Sequence, residues 1–172
     1  MKTLYLLRHA KSAWDRADLP DHERPLNQRG RDACKVLAEY WRRHHVLPAI
    51  VLCSSAARTQ ETLSRIADAL DRDINAKVTE DLYMAEPKAL LAAIRALDDN
   101  FASAMIIGHN PGLGELARQL TGSGGAHKVA SLAEKFPTGG LATLSFDVSA
   151  WSKIKPGRGL LKDYVTPRTL ET

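Results

Sequence analysis

Leu4-Tyr5-Leu6-Leu7-Arg8-His9-Ala10 is a run of four apolar residues that stops abruptly at an arginine and a histidine. A run this short with polar flanks reads as a buried strand, and Lys11-Ser12-Ala13-Trp14-Asp15 follows it without helical periodicity. A cationic Arg8 and a titratable His9 at the end of a buried strand are costly unless something anionic meets them. Taken alone, such a pair is most often a solvated strand end. The same conflict recurs twice further along.

Working outward, residues 15–25 carry Asp15, Asp18, Pro20, Asp21 and Pro25 and read as a loop. Asn27 is the expected N-cap of a helix running to about His45, with Ala33, Val36, Leu37, Tyr40 and Trp41 on one apolar stripe. His44 and His45 close it, where positive charge suits the carbonyl end of the dipole. Pro48 restarts the chain into Ala49-Ile50-Val51-Leu52-Cys53, a second buried strand ending in Ser54-Ser55. Arg58, Thr59, Thr62, Leu63, Ile66, Ala69 and Leu70 then fall on helical spacing, which puts Arg58 in a first turn. An arginine there runs against the helix dipole unless it has an anion to hold.

A short strand at 76–79 and a loop through Leu82-Tyr83-Met84 come next. Glu86 and Pro87 open a helix whose core face is Leu90, Leu91, Ile94 and Leu97. Ala104-Met105-Ile106-Ile107 is a further strand, and it runs into Gly108-His109-Asn110-Pro111-Gly112. Pro111 starts a helix carrying Leu113, Leu116, Ala117 and Leu120. Residues 122–138 are expected to be irregular, residues 140–146 to form a strand, and residues 159–161 an edge strand. Strands alternating with helices predict a single α/β domain over residues 1–172, a three-layer α/β/α sandwich with a mostly parallel central sheet.

With 172 residues, 44% hydrophobic and 26% charged, the chain has the composition of one globular domain. A net charge of +4 suits an anionic small molecule or a phosphorylated partner and falls far short of a nucleic-acid-binding stripe, so no nucleic acid is expected. The basic residues between Arg24 and Arg43 read as the solvated face of the first helix. Cys34 and Cys53 lack metal-ligand spacing and read as free buried thiols. Arg8 interrupts the first apolar run too early for a signal sequence, and no stretch reaches the length of a membrane span. A cytoplasmic protein with no membrane partner is expected; its oligomeric state stays open, with a monomer sufficient.

In open α/β sheets, ligands bind outside the carboxyl ends of the strands. Arg8 and His9, Arg58, and His109 are all delivered to that edge. Arginine suits bidentate phosphate recognition, and a neutral imidazole between guanidinium groups has a lone pair with which to attack phosphorus. No carboxylate or Cys/His cluster has ligand spacing, so neither a metal nor another cofactor is expected.

Three motifs, Leu7-Arg8-His9-Ala10-Lys11-Ser12, Ser54-Ser55-Ala56-Ala57-Arg58-Thr59-Gln60-Glu61-Thr62 and Ile107-Gly108-His109-Asn110, each at a strand end and in this order, resemble the histidine phosphatase superfamily, the phosphoglycerate-mutase-like proteins. Asp21-His22-Glu23-Arg24-Pro25-Leu26 followed by Gly30, the Gly108–Leu113 run and the compact length are similar to the small SixA-type phosphohistidine phosphatases. The resemblance implies a phosphoglycerate-mutase-like sheet and a catalytic set of His9, Arg8, Arg58 and His109. His9 would be the nucleophile that becomes phosphorylated. Arg8, Arg58 and His109 would hold the phosphoryl group, with Arg24 and Asn110 as further phosphate or substrate contacts.

Two departures sharpen this. Many superfamily members carry a catalytic glutamate in a Leu-x-Glu pattern, where this chain has Leu82-Tyr83-Met84. An alkoxide leaving group needs a general acid, whereas the imidazole of phosphohistidine needs that help much less. The expected substrate is therefore a phosphorylated protein carrying phosphohistidine. A small phosphorylated metabolite is the alternative, and a regulatory module that binds phosphohistidine without turning it over is a third. The first loop also has Asp15 where larger enzymes often have asparagine, so Asp15, Asp18 and Asp21 are candidate proton donors. His22 is either a surface residue or part of the pocket wall. Trp14 is a candidate neighbour of the site, Trp41 reads as core, and Trp151 and His127 receive no role.

Overall fold

In a computed structural model of the chain, which describes residues 1–171, seven strands form one sheet: β1 (Lys2–Arg8), β2 (Ile50–Ser54), β3 (Ala76–Thr79), β4 (Ser103–Gly108), β5 (Thr121–Gly124), β6 (Leu141–Phe146) and β7 (Gly159–Val165). Their order is β3-β2-β4-β1-β6-β7-β5. The β1–β4, β2–β4, β2–β3 and β5–β7 pairings are parallel; only β6 runs antiparallel to its neighbours β1 and β7. Register does the work that matters for the site. Leu7 faces Ile107 and Arg8 faces Gly108 across β1–β4, while Cys53 faces Ile107 across β2–β4. Three carboxyl ends therefore finish level.

Alternation along the strands divides the core into two layers. Leu4, Leu6, Leu52 and Ile106 point to one side, where they pack on α3 (Pro87–Arg95), α4 (Gly112–Leu120) and α5 (Ala126–Glu134) through Leu90, Ile94, Leu113, Leu116 and Leu132. Leu7, Val51, Cys53, Met105 and Ile107 point to the other side. There they meet α1 (Gln28–Arg43) and α2 (Ala57–Leu70) through Leu37, Trp41 and Ile66, with Leu170 of α6 (Pro167–Leu170) at the margin. The result is the expected three-layer sandwich with a mostly parallel sheet.

The Asn27 side chain accepts the Gly30 N–H at 2.9 Å and starts α1 as anticipated. Cys34 and Cys53 are free and buried, and burial pushes both thiols up to about 12, which keeps them inert. Two expectations need correcting. Residues 122–138 are largely regular, contributing most of β5 and all of α5. Thr-Gly-Ser-Gly has no apolar alternation, so β5 exists through its pairing with β7, and α5 buries Leu132 alone. The strand expected at 159–161 is longer and lies inside the sheet, because β5 covers its outer side; the edges are β3 and β5. Trp151 is fully buried, its indole N–H donating to the Phe101 carbonyl at 2.9 Å. Among the described residues no helix is long and apolar enough to cross a membrane.

Candidate active site

The chain leaves β1 under tight backbone control. Gly139 N–H donates to the carbonyls of both Arg8 and His9, at 3.1 and 2.9 Å, and His9 N–H donates to Gly108 O at 3.2 Å. Ala10 N–H donates to the Thr62 hydroxyl, which in turn donates to the Arg58 carbonyl at 2.7 Å. One hydroxyl thus ties the end of β1 to the first turn of α2.

His9 is buried, and its Nδ1 lies 2.7 Å from the Ala10 carbonyl. A carbonyl only accepts, so the ring proton sits on Nδ1 and the Nε2 lone pair is free. Burial, reinforced by the charges of Arg58, Arg8 and Arg24, lowers its pKa to about 4 against the opposing pull of the Ala10 carbonyl. At neutral pH this imidazole is uncharged.

His109 follows β4 and lies 5.3 Å from His9, ring centre to ring centre. Burial and the charge of Arg58 bring it to about 3. Its Nε2 is 2.8 Å from Ser54 Oγ at the end of β2. The Ser54 hydroxyl accepts weakly from Ala56 N–H at 3.4 Å and has no other acceptor among the described residues, so it donates to His109 Nε2. That assignment leaves the proton on His109 Nδ1, a buried nitrogen without a hydrogen-bond partner.

Three guanidinium groups surround this pair. Arg58, 3% exposed, donates through Nη1 to the Asp21 carbonyl at 2.8 Å and through Nη2 to its carboxylate at 3.0 Å. Arg24, 7% exposed, is fixed by Ser12 Oγ at 2.7 Å, the Ala13 carbonyl at 2.9 Å and the Asp21 carboxylate at 3.1 Å, with the Trp14 ring stacked 3.5 Å away. Arg8 donates to the Phe136 carbonyl at 3.2 Å, and its Nε is buried without a partner. Burial costs of this size are tolerated where an anion is to be met.

Of the three candidate proton donors, only Asp21 joins this cluster. Asp15 and Asp18 lie on the exposed loop, where Asp18 pairs with Arg16 at 3.1 Å. The Asp21 carboxylate also accepts from the Tyr83 hydroxyl. Partial burial raises its pKa, but bonds from Tyr83 and Arg24 and the charge of Arg58 outweigh that and hold it at about 2. Asn110 spends both ends of its amide on backbone, donating to Phe136 O at 2.7 Å and accepting from Gly114 N–H at 3.0 Å. It braces the start of α4 against the segment that holds Arg8.

Tyr83, from the Leu82-Tyr83-Met84 segment, stands edge-on to His109 at 5.4 Å and to His22 at 4.8 Å. His22 does line the site, with Nε2 2.8 Å from Ser55 Oγ. Ser54, Thr62 and Tyr83 are the participants that sequence reasoning missed. The signal for the serines was a pair of hydroxyls at a strand end level with His109. Among the described residues no three His, Cys, Asp or Glu side chains come together as a metal-ligand set.

The sheet edge thus defines an α/β protein in which buried guanidinium groups surround a neutral imidazole. Residues 4–83 match the histidine phosphatase superfamily (branch 1). The chain is 36% identical over 167 residues to the uncharacterised protein Rv1276c of Mycobacterium tuberculosis, covering 94% of this chain and 100% of that protein. It is 30% identical over 119 residues to the phosphohistidine phosphatase SixA of Escherichia coli, covering 68% of this chain and 73% of that protein. A candidate phosphohistidine phosphatase SixA from Agrobacterium tumefaciens superposes with a TM-score of 0.81 at 29% identity, over 96% of this chain and 98% of that one. The chain belongs to the histidine phosphatase superfamily.

Proposed function

We propose that this phosphatase hydrolyses phosphohistidine on a protein through a phosphorylated His9. The observation that carries the reading is His9 itself, buried among Arg8, Arg24 and Arg58 with its proton held on Nδ1 by the Ala10 carbonyl. Its Nε2 lone pair forms a bond to phosphorus as the bond from phosphorus to the substrate imidazole breaks. The second ring nitrogen of the substrate takes a proton from water beforehand, so the leaving group departs as neutral imidazole. Water then attacks the phosphorus of phospho-His9, the P–N bond breaks, and inorganic phosphate leaves. Arg8, Arg58 and the Nδ1–H of His109 stabilise the equatorial oxygens, with Arg24 beside them.

Substrate choice follows from the carboxylate. Asp21 is ionised and already bonded to Arg58, Arg24 and Tyr83, so no protonated acid waits for an alkoxide. The similarity to the SixA phosphatase supports the same substrate class. The test compares a histidine-phosphorylated protein with small alkyl and aryl phosphates, with and without chelator, in the wild type and His9→Asn. Turnover of the phosphohistidine protein, insensitive to chelator and reduced more than about a thousandfold in H9N, is the expected result. Activity surviving in H9N rejects the covalent route. Preference for small esters favours a metabolite phosphatase, and binding without turnover favours a regulatory module.

A further inference from the structure

We infer that the groove between α1, α5 and α6 is a docking surface for an acidic segment of the protein substrate. It encloses about 620 Å³ and begins at Lys11, Pro137 and Thr138, next to the backbone that carries His9 and receives the Gly139 N–H. Tyr164, Pro167 and Arg168 line it as well. It is a separate hollow from the cluster of Arg8, Arg24 and Arg58, none of which lines it.

Its charge points to the occupant. Lys11, Arg29, Lys135 and Arg168 line the groove, all exposed, and none of their side chains has a hydrogen bond or ion pair among the described residues. Elsewhere many arginines are engaged, as in Arg42 and Arg43 with Glu39 or Arg65 with Glu61. Lys128 also faces the groove but is held by Asp163 at 3.2 Å. Three carboxylates oppose the cations, and one of them, Asp32, is bonded to the Gln28 amide. Free positive charge therefore exceeds negative charge in a groove that borders the backbone carrying His9. Rim charges of this kind steer and select a partner rather than hold it tightly. The floor is rigid and partly apolar: Tyr164 is 5% exposed and its hydroxyl donates to the Lys135 carbonyl at 2.5 Å. A side chain phosphorylated at the groove's inner end and carboxylates trailing along its length fit this layout.

The inference rests on the phosphohistidine reading, and the test separates the two. Two peptides of equal length carry phosphohistidine, one with glutamate flanks and one with serine flanks; free phosphohistidine is the third substrate. Wild-type kcat/KM is expected to be about tenfold higher for the glutamate peptide, because exposed ion pairs are individually weak and several act together. In the triple variant Arg29→Gln, Lys135→Gln, Arg168→Gln that preference disappears, while turnover of free phosphohistidine stays within about twofold, as surface pairs remote from the reacting atoms require. Equal use of both peptides by the wild type, or a preference that survives in the variant, overturns the docking surface alone. Failure of the wild type on all three substrates overturns the phosphohistidine reading. In that event binding of a fluorescent glutamate peptide decides the groove: binding lost in the variant supports it, and binding absent or unchanged rejects it.

Discussion

Asp21 and Arg58 form a clamp with two bonds, the guanidinium donating to the carbonyl of Asp21 at 2.8 Å and to its carboxylate at 3.0 Å. The carboxylate also binds Arg24 at 3.1 Å and Tyr83, so it sits as an internal anion between two buried guanidinium groups. Placed so, Asp21 is expected to compete with substrate charge rather than supply a proton. Asp21→Asn is expected to strengthen inhibition by inorganic phosphate about fivefold, the size of one partly screened charge pair, with aryl phosphate turnover not abolished. Asp15→Asn and Asp18→Asn should change neither by more than about twofold, since exposed pairs are worth little. Loss of aryl phosphate turnover confined to D21N would instead make Asp21 the acid.

Burial, reinforced by the arginine charges, sets the charge state of His9. Its pKa is about 4 in the fold against about 6.5 for a free histidine. Between those values the unfolded chain binds more protons than the native one, so stability falls as pH drops from 6.5 towards 4. A buried group shifted this far contributes on the order of 3 kcal/mol. Urea unfolding at pH 7 and pH 4.5 should show that loss in the wild type and a clearly smaller one in His9→Asn. An identical acid sensitivity in both proteins would mean that His9 is not held neutral by the fold.

After burial, Arg58 is the largest lowering contributor that His9 and His109 share. Its charge lowers both His9 and His109, and its geometry is that of a two-pronged donor. Arg58→Lys keeps a charge but loses the fork, so kcat/KM should fall at least about a hundredfold despite the conservative label. NMR titration of the His9 ring should show its pKa rising in Arg58→Met and changing less in R58K. A wild-type rate in R58K would remove Arg58 from the phosphate site.

Much of this was legible because buried strands ending in cations are expensive, and expense marks a site. Arg8, His9, Arg58 and His109 each broke a local rule, and the level register of β1, β2 and β4 brings three of those breaks to one edge. The quiet partners broke none. Ser54 reads as an ordinary strand end and Thr62 as an ordinary helical threonine, although one orients His109 and the other ties Ala10 to Arg58. Tyr83 could be seen only as the variable residue between Leu82 and Met84, the latter standing where many relatives have glutamate. β5 was invisible for a different reason: Thr-Gly-Ser-Gly carries no side-chain pattern, and its pairing with β7 lies 35 or more residues away in sequence, from Thr121 to Gly159 at the first rung.

Ser54 gives the next prediction. It is fully buried, and its hydroxyl is the only bond that orients the His109 ring through Nε2 among the described residues. Ser54→Ala should cost about 1–3 kcal/mol of stability, the penalty for leaving His109 unsatisfied. Phosphatase kcat should drop about tenfold or more as the ring loses its tautomer, with KM changing less. A stability loss with kcat unchanged would make the bond purely structural.

Gly30 is where two energies compete openly. It lies in the first turn of α1, and alanine there would gain about 1 kcal/mol of helix propensity. Yet a Cβ at this position would sit 2.1 Å from the Lys11 carbonyl oxygen and 3.0 Å from its carbon and nitrogen. The obstacle is backbone, and that same carbonyl already accepts the Asn27 N–H at 3.0 Å, so neither side can swing away. Overpacking against main chain costs about 1–3 kcal/mol or more, which outweighs the propensity gain. Gly30→Ala should therefore lower Tm by roughly 5 °C, given the scaling for a chain of this size. Activity should fall with it, because pushing Lys11 outward carries Ser12 and Ala13 away from the Arg24 guanidinium that they hold. A G30A protein that melts at or above the wild-type temperature would show that α1 does not press on the segment after His9, and would loosen the link between this helix and the site.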